Sequence, residues 1–579
     1  MQYSTLVDVY EKLESTSKRL EKTAFAAKLL KETDTKLIPI ITLMIQGKIY
    51  PAWDDRKIGV ASKLVLKAIN LATGVDASKV EDEWKKTGDL GKTAENLVEK
   101  KQQQSLFRKD LEARKVFDNL EKLSTLEGLG TVNRKIQLIA ELLTSASPKE
   151  AKYIIKTVLE EMRIGVGEGV LRDAIVWEHF GYTGEEGRTD EVGEEYKSYL
   201  AKVQEAYDIT NDFSEVAIAS RNGEKALGEI KLLPEKPIKV MLAQKVDDVA
   251  AAFEKVGKPA FVEYKYDGFR MQVHGFDGKI RIFTRRLEDV TEQFPEVIEY
   301  LKKNVKAKSF ILDGEAVGYN PETKKYLPFQ KVSQRIKRKY EIERMAKEYP
   351  IELNLFDIVF LDGKNLIKKE FSERRKLLEK IITEKKWNVV LAKQLISGDE
   401  KEVQQFYEDT LKLGMEGVMF KKTDAPYKPG SRVGHMVKLK PVMESLDVII
   451  TGAEWGEGKR ASWITSFAIA CQDESGEFVD IGRVSTGLKE LKSDEGTTFS
   501  EMTELLKPLI ISEKGREITM KPEIIIEVHY EEIQKSPTYS SGYALRFPRF
   551  VRLRDDKSID EVSDISLVEE LYYNQKKRR

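Results

Sequence analysis

The sequence predicts a multidomain protein in which an all-α region is followed by an α+β region and then by a small β-barrel. Helical periodicity dominates up to about residue 232, whereas short strand-like runs dominate after it. At 579 residues the chain is too long for one hydrophobic core, and its apolar content of 41% is sufficient for several. We therefore predict domains at residues 1–232, 233–441 and 442–579.

The first region carries clear helix signals. Ser147-Pro148-Lys149-Glu150 has the form of a capping box with proline at the first helical position. A glycine cluster at 165–169 lies between two helical patterns, where backbone N–H groups could approach a phosphate. Because it does not follow a strand, we exclude a dinucleotide-binding loop. From composition alone, a solvated face explains the basic residues on these helices at least as well as phosphate binding: Arg134, Lys135, Lys149, Lys152, Lys156, Arg163 and Arg172.

The pattern of apolar and polar residues changes at a proline-containing connector, Leu233 to Pro237. Beyond it, short apolar runs alternate with helical stretches at 372–382 and 401–413, which is typical of an α+β domain. After Pro441 the strand-like runs have glycine-rich joins, and these runs predict a small barrel.

Composition excludes several classes of protein. Lysine plus arginine and aspartate plus glutamate number 97 each, so net charge argues neither for nor against a polyanionic partner. The single cysteine, Cys471, excludes a disulfide framework and a cysteine zinc site within the chain. No signal pattern or membrane-length apolar run is present, so we expect a cytoplasmic protein without membrane contact.

The most informative stretch is Phe261 to Arg270, in which Lys265 stands between two alternating runs and Asp267-Gly268 follows it. Asp-Gly between such runs predicts a β-hairpin, with Lys265 at the end of the first strand. Taken alone, this stretch fits a surface hairpin as well as a reactive site.

Other charged residues of the central region also cluster where strands are predicted to stop. Cations that could meet phosphates, together with carboxylates that could hold a metal ion, suit phosphoryl or nucleotidyl transfer. A lysine nucleophile must be neutral, and its unperturbed pKa is roughly 10.4. Neighbouring cations would lower that pKa. The residues that form this pattern are Lys265, Arg270, Arg285, Glu315, Glu416, Lys438 and Lys440.

An ordered set of motifs resembles the ATP-dependent DNA ligases, most closely the archaeal replicative type. The resemblance covers nearly the whole chain. The motifs are Glu263-Tyr-Lys265-Tyr-Asp-Gly-Phe-Arg270, Thr284-Arg285-Arg286, Leu312-Asp313-Gly314-Glu315, Leu355-Phe356-Asp357, Glu416-Gly-Val-Met-Phe-Lys421, Val437-Lys438-Leu-Lys440 and the segment Ser536–Lys557, which contains Arg546-Phe-Pro-Arg549. Each motif is short, but their order along the chain is specific. The resemblance implies a helical DNA-binding domain, a nucleotidyltransferase (adenylation) domain and an OB-fold barrel.

The resemblance also implies a role for each site residue. Lys265 would carry AMP, Glu263 would read the adenine edge and Phe356 would stack on the base. Arg554 and Lys557 would orient the leaving pyrophosphate. Glu315 and Glu416 would bind Mg²⁺, with Mn²⁺ as a substitute. The other residues implied to hold ATP or the nick are Arg270, Arg285, Glu315, Arg432, Lys438 and Lys440. For Asp313 and Asp357 we expect a turn or a backbone hydrogen bond.

The implied activity is ATP-dependent sealing of nicks in duplex DNA, through lysyl-AMP and 5′-adenylated DNA, in replication, repair and recombination. The barrel is expected to swing between steps. An RNA ligase or capping-type nucleotidyltransferase is the alternative, although these lack the helical domain. A non-catalytic DNA clamp is a third possibility. We expect a monomer that binds nicked duplex DNA. The segment Gln103–Phe107 is either a linker or a peptide that binds a sliding clamp.

Overall fold

The computed structural model describes residues 1–54, 56–100, 110–126, 128, 130–182, 193–327, 329–336, 338, 340–430, 432–441, 445–457, 460–473, 475–490 and 496–575. The side chains of Gln330, Arg432 and Val433 are not described. The predicted clamp peptide, Gln103–Phe107, lies outside the described residues. The chain divides into two compact units. The first unit consists of Met1–Gln244, Asp267–Lys393 and Lys421–Met436. The second unit consists of Lys245–Tyr266, Gln394–Phe420 and Val437–Arg579.

The first unit begins with a helical region that has its own apolar core. The predicted capping box is confirmed. The Ser147 N–H donates to the Glu150 carboxylate at 2.7 Å, and the Glu150 N–H donates to the Ser147 hydroxyl at 3.4 Å. The helices are α1 Tyr3–Ser15, α2 Arg19–Glu32, α3 Ile38–Met44, α4 Ser62–Thr73, α5 Ala77–Thr87, α6 Leu90–Glu99, α7 Ala113–Thr125, α8 Thr131–Ser145, α9 Pro148–Val158, α10 Glu168–Phe180, α11 Glu194–Thr210, α12 Phe213–Arg221 and α13 Glu224–Gly228.

The same unit contains a largely antiparallel sheet in the order β4-β3-β5-β6-β7, with β8 parallel to β6. Its apolar core is formed by the sheet and by helices that connect the strands in the sequence. The elements are β3 Phe269–Phe276, β4 Lys279–Thr284, α15 Pro295–Asn304, β5 Phe310–Gly318, α16 Phe329–Ile336, α17 Ile342–Glu348, β6 Ile351–Leu361, β7 Lys364–Asn365, α18 Phe371–Ile381 and β8 Val389–Leu391.

The second unit contains a five-stranded sheet in the order β1-β11-β10-β2-β9, three of whose strands continue into segments assigned to the first unit. Apolar residues of these strands pack with α14 and α19. The elements are β1 Leu242–Val246, α14 Val249–Val256, β2 Ala260–Lys265, β9 Gln394–Ser397, α19 Glu400–Lys412, β10 Gly417–Lys422 and β11 Arg432–Leu439.

The C-terminal part of the second unit is rich in strands, in agreement with the predicted barrel region. Its main sheet runs β14-β13-β12-β16-β15, with β17 between β12 and β20, and β18 pairs with β19. The elements are β12 Leu446–Trp455, β13 Ile464–Gln472, β14 Phe478–Val484, α20 Phe499–Leu506, β15 Ile510–Lys514, β16 Glu517–Met520, β17 Ile525–His529, β18 Glu532–Lys535, β19 Tyr543–Arg546, β20 Arg549–Leu553 and α21 Ile565–Asn574.

The hairpin predicted around Asp267-Gly268 is wrong. β2 and β3, on either side of this dipeptide, belong to different sheets. Gly268 does not adopt a left-handed conformation. Glycine is needed here because the backbone passes close to another strand. A Cβ at this position would lie 2.3 Å from the Ala316 carbonyl oxygen. The dipeptide is therefore a crossing between sheets, and Lys265 is the last residue of β2 as expected.

A buried ion pair joins α18 to β6. Arg374 donates from Nε to the Asp357 carboxylate at 2.8 Å, and the two side chains are 0% and 2% exposed. The backbone hydrogen bond expected for Asp357 is also present, from the Ile358 N–H at 2.8 Å. Removing one partner of such a pair leaves a buried charge without compensation, which is costly.

We expect Asp357→Asn to lower the free energy of unfolding by about 3–5 kcal/mol, because the Arg374 guanidinium would lose its buried counter-charge. Urea unfolding followed by circular dichroism measures the change. The control is Glu299→Gln, which removes a pair with Lys303 whose side chains are 71% and 73% exposed. Its expected cost is roughly 0–0.5 kcal/mol. Equal costs for the two variants would contradict the prediction.

Candidate active site

Lys265 lies at the end of β2 beside a carboxylate that it shares with a second lysine. Its ammonium pairs with the Glu416 carboxylate, and Lys440 Nζ lies 3.3 Å from the same Glu416 oxygen. The Glu416 backbone N–H also donates to the Lys265 carbonyl at 2.9 Å. All three side chains are largely buried, at 21%, 13% and 16% exposed for Lys265, Glu416 and Lys440. The shared carboxylate therefore holds two ammonium groups side by side.

Two further predicted residues join this cluster. Glu263 is two residues before Lys265 on β2, so the two side chains project from the same side of the strand. Lys438 lies near the end of β11, close enough to Lys440 and Lys265 for their charges to act on it. Burial, and then Lys440 and Lys265, lower the pKa of the Lys438 ammonium below its ordinary value. The second unit thus gathers Glu263, Lys265, Glu416, Lys438 and Lys440 in an electropositive environment, which suits a polyphosphate.

Arg270, in the first unit, is held by a closed ring of hydrogen bonds. Its Nε donates to Asp313 Oδ1 at 2.8 Å, and its Nη1 donates to the Met241 carbonyl at 2.7 Å. The Tyr427 hydroxyl donates to Asp313 Oδ2 at 2.9 Å and accepts from the Met241 N–H at 3.2 Å. Burial alone would lower the pKa of Arg270, but the Asp313 carboxylate outweighs it and raises that pKa. The guanidinium is therefore charged and fixed in orientation.

The expectation for Asp313 needs correction. Its 1% exposed side chain forms an ion pair with Arg270 rather than a turn or a backbone hydrogen bond. Strand register explains the contact. Arg270 lies opposite Glu315 across β3 and β5, and Asp313 is two residues from Glu315 on the same side of the strand.

Phe356 is placed by a β-bulge. Gly314 pairs with Leu355 and Asp313 with Asp357, so Phe356 has no opposite residue in the ladder between β5 and β6. Its half-buried ring has the Arg270 guanidinium 5.3 Å from its centroid and the Lys421 ammonium 4.4 Å from it. The bulge therefore places the aromatic ring within cation–π distance of both cations.

The other predicted residues are dispersed. Glu315 is half-buried on β5, and Arg285 is exposed in the turn after β4. Arg432 begins β11, but its side chain is outside the description. Arg554 and Lys557, in the strand-rich C-terminal part, contact Asp447 at 2.8 Å. Among the residues that the structure describes, no group of three or more potential metal ligands is found.

Sequence reasoning missed Tyr427. It lies in Ala425-Pro426-Tyr427-Lys428-Pro429-Gly430, whose prolines and glycine indicate a loop. A fully buried tyrosine within such a loop needs a hydrogen-bond partner, and Asp313 supplies it. The signal was present as an aromatic residue between prolines, but the sequence does not reveal its partner.

Comparisons with known proteins decide the family. Residues 2–176 match the description "DNA ligase N terminus", residues 240–440 match "ATP dependent DNA ligase domain", and residues 460–557 match "ATP dependent DNA ligase C terminal region". A DNA ligase of Nanoarchaeum equitans is 47% identical over 579 residues, covering 100% of this chain and 99% of the relative. The chain belongs to the ATP-dependent DNA ligase family. Nick sealing is the activity of this family.

Further comparisons agree with this ligase assignment. A DNA ligase of Thermococcus fumicolans is 42% identical, with 99% of this chain and 98% of the relative covered. A solved structure titled "Pmar-Lig_PreS3" covers 95% of this chain and 99% of its own, with a TM-score of 0.55 and 16% identity, and supports the fold alone. The predicted fold class is confirmed: a helical N-terminal region, a nucleotidyltransferase domain and a strand-rich OB-like domain. The three domain boundaries stay a prediction.

We expect Tyr427→Phe to raise the KM for ATP in transfer of label from α-labelled ATP to the ligase, by about five- to tenfold. Phenylalanine keeps the ring but removes the hydroxyl that joins Met241 to Asp313, so the groups that orient the Arg270 guanidinium are held less firmly. Tyr340→Phe is the control, because Tyr340 is 80% exposed. An unchanged KM in Tyr427→Phe would show that the ring of hydrogen bonds does not act on nucleotide binding.

Proposed function

We propose that this ligase seals nicks in duplex DNA through a covalent AMP on Lys265. The observation that carries the proposal is the position of Lys265 at the end of β2, where it shares the Glu416 carboxylate with Lys440. A cluster of ammonium groups suits a lysine that attacks a polyphosphate, because the phosphates find cations there and neighbouring ammonium groups would favour a neutral amine.

The proposed reaction has three in-line displacements at phosphorus. Neutral Lys265 Nζ attacks the α-phosphorus of ATP. An N–P bond forms, the bond to the bridging oxygen breaks, and pyrophosphate and a proton leave. A 5′-phosphate oxygen of the nick then attacks the same phosphorus and releases Lys265. Finally the 3′-hydroxyl attacks the 5′-phosphorus, loses its proton and displaces AMP.

The other predicted site residues are proposed to hold the nucleotide. Phe356, presented by its bulge, would stack on the adenine, and Glu263 would accept hydrogen bonds at the adenine edge. Arg270, whose orientation is fixed by Asp313, would contact the ribose and nearby phosphate. Arg285, Arg432, Lys438 and Lys440 would meet phosphates of ATP or of the nick. Arg554 and Lys557 are proposed to orient pyrophosphate in the first displacement.

We also propose Mg²⁺, with Mn²⁺ as a substitute, at Glu315 and Glu416. Carboxylate oxygens are the ligands that Mg²⁺ prefers, and the Glu416 carboxylate, already against two ammonium groups, fits a cation. When bound, Mg²⁺ would neutralise developing phosphate charge. The Glu416 carboxylate could bind either the Lys265 ammonium or Mg²⁺. Engagement of Glu416 elsewhere removes a group that favours the charged form of Lys265, and so favours the nucleophile.

We expect Lys265→Ala to abolish acid-labile labelling by α-labelled ATP with Mg²⁺, because no other residue is proposed to carry AMP. The exposed Lys255→Ala is the control and should label normally. Absence of label on the unmodified chain, or persistence of label in Lys265→Ala, would contradict this function and leave a non-catalytic DNA clamp. Sealing of nicked RNA in preference to nicked DNA would favour the RNA ligase alternative.

The helical region is proposed to bind duplex DNA. Ion pairs within the fold reduce the number of its basic residues that are available for this. Lys152 pairs with Glu11 and Glu14, at 2.9 and 2.7 Å, so its charge is compensated within the fold. Arg134 is exposed in the first turns of α8 and lines a shallow cavity of about 410 Å³ together with Lys122. Exposed cations near a helix N-terminus are suited to a DNA phosphate.

We expect Arg134→Gln to weaken binding of the full chain to nicked duplex DNA, and to reduce the slope of log K against log salt by about 1. Fluorescence anisotropy at several salt concentrations measures both quantities. Lys152→Gln is the matched control. Its slope should not change, because that ammonium already has carboxylate partners. An identical slope for Arg134→Gln and the unmodified chain would remove Arg134 from the phosphate-binding surface.

We also propose a protein partner, an oligomeric state and a cellular location. A sliding clamp would bind the peptide Gln103–Phe107, and the ligase would act as a monomer in the cytoplasm. No helix within the described residues is long and apolar enough to cross a membrane.

A further inference from the structure

Asp447, which no motif singled out, contacts both cations proposed to orient pyrophosphate. Arg554 Nη1 donates to Asp447 Oδ1 at 2.8 Å and to Oδ2 at 2.9 Å. Lys557 Nζ lies 2.8 Å from the same Oδ2. Arg554 is 13% exposed, Asp447 15% and Lys557 25%. One largely buried carboxylate thus brings together two cations that would otherwise repel each other.

The position of Asp447 is set by strand β12 and by the segment that contains Ser563. Asp447 is the second residue of β12 and lies opposite Glu527 on β17. Its N–H donates to the Ser563 hydroxyl at 3.1 Å, and its carbonyl accepts from the Ser563 N–H at 2.8 Å. Both backbone groups of Asp447 are therefore bound to Ser563, which fixes the position from which its carboxylate reaches the flexible cationic side chains.

Two neighbouring carboxylates also favour a cation at this position, although Glu527 has a closer partner in Arg552 at 2.8 Å. Asp447 and Glu527 face each other across the strand pair, and like charges directly opposite are destabilising. Arg554 lies between them, with Nη1 3.8 Å from the Glu527 carboxylate. Asp556 then binds the outer side of the guanidinium, at 2.8 Å from Nε and 2.9 Å from Nη2. Arg554 is consequently held in one plane from two sides.

We infer that Asp447 is a positioning residue that holds Arg554 and Lys557 at a fixed spacing, so that together they form a binding site for the pyrophosphate group of ATP. This inference rests on the proposed function. Asp447 itself carries a negative charge and would not contact the phosphates. It acts by orienting the guanidinium and the ammonium, as carboxylates in a supporting shell orient the groups that bind a ligand.

The test compares Asp447→Asn with the unmodified full-length ligase. Asparagine keeps the size of the side chain but removes the charge that attracts both cations. We expect the single-turnover rate of label transfer from α-labelled ATP, at saturating ATP, to fall about tenfold. Sealing of a nick that already carries 5′-AMP should change less than about twofold, because pyrophosphate takes no part in that step.

Two further variants separate positioning from general structural damage. Glu490→Gln removes an exposed pair with Arg460 on the same strand-rich region and should leave every step unchanged. In a Lys557→Ala background, Asp447→Asn should cost less than it does in the unmodified chain, because one of the cations that it positions is already absent.

Two outcomes of these measurements would overturn the inference. A label-transfer rate that stays the same or rises in Asp447→Asn overturns it. A rise would mean that Asp447 restrains the two cations. Equal slowing of label transfer and of sealing of the pre-adenylated nick also overturns it, because the role would then be structural. If the unmodified chain takes no label at all, the proposed function fails, and that outcome is distinct from a failure of this inference.

Discussion

The carboxylate that Glu416 shares between Lys265 and Lys440 is the interaction on which the candidate active site depends. Without it, two ammonium groups would repel each other in a largely buried position, and the nucleophile would have no defined place. The same arrangement recurs at Asp313, which holds Arg270 and Tyr427, and at Asp447, which holds Arg554 and Lys557. In these three groups the predicted phosphate-binding cations thus contact a carboxylate, which lies in β5 for Asp313, in β12 for Asp447 and directly before β10 for Glu416.

This arrangement serves a protein that must bind a polyanion while its net charge is zero. A cation that is oriented by one carboxylate has lost side-chain freedom before the ligand arrives, so less entropy is lost on binding. The helical region shows the contrasting case. Lys152 is engaged by Glu11 and Glu14 and stabilises the packing of helices, whereas exposed Arg134 is suited to DNA. Within the helical region, the carboxylate partners of Lys152 and the exposure of Arg134 distinguish these two roles, which charge alone does not.

Much of the fold followed from local patterns. The capping box at Ser147, the end of β2 at Lys265 and the strand-rich region after Pro441 are all where periodicity and turn residues placed them. The hairpin at Asp267-Gly268 failed because the dipeptide signals a change of direction, not which strands pair afterwards. Gly268 is there because it approaches the Ala316 carbonyl, a contact with a residue almost fifty positions away in the chain.

The residue types, their order and their strand ends were enough to predict the chemistry of the site, since a lysine nucleophile, carboxylates and phosphate-binding cations each have a characteristic local setting. The partners of those residues were decided by tertiary structure. Asp313 meets Arg270 through strand register, whereas Asp447 meets two cations that follow β20. Tyr427 reaches Asp313 from a distant loop, and Phe356 is presented by a bulge. Register and bulges arise from pairing between distant segments, and no local sequence pattern encodes which segment will be opposite.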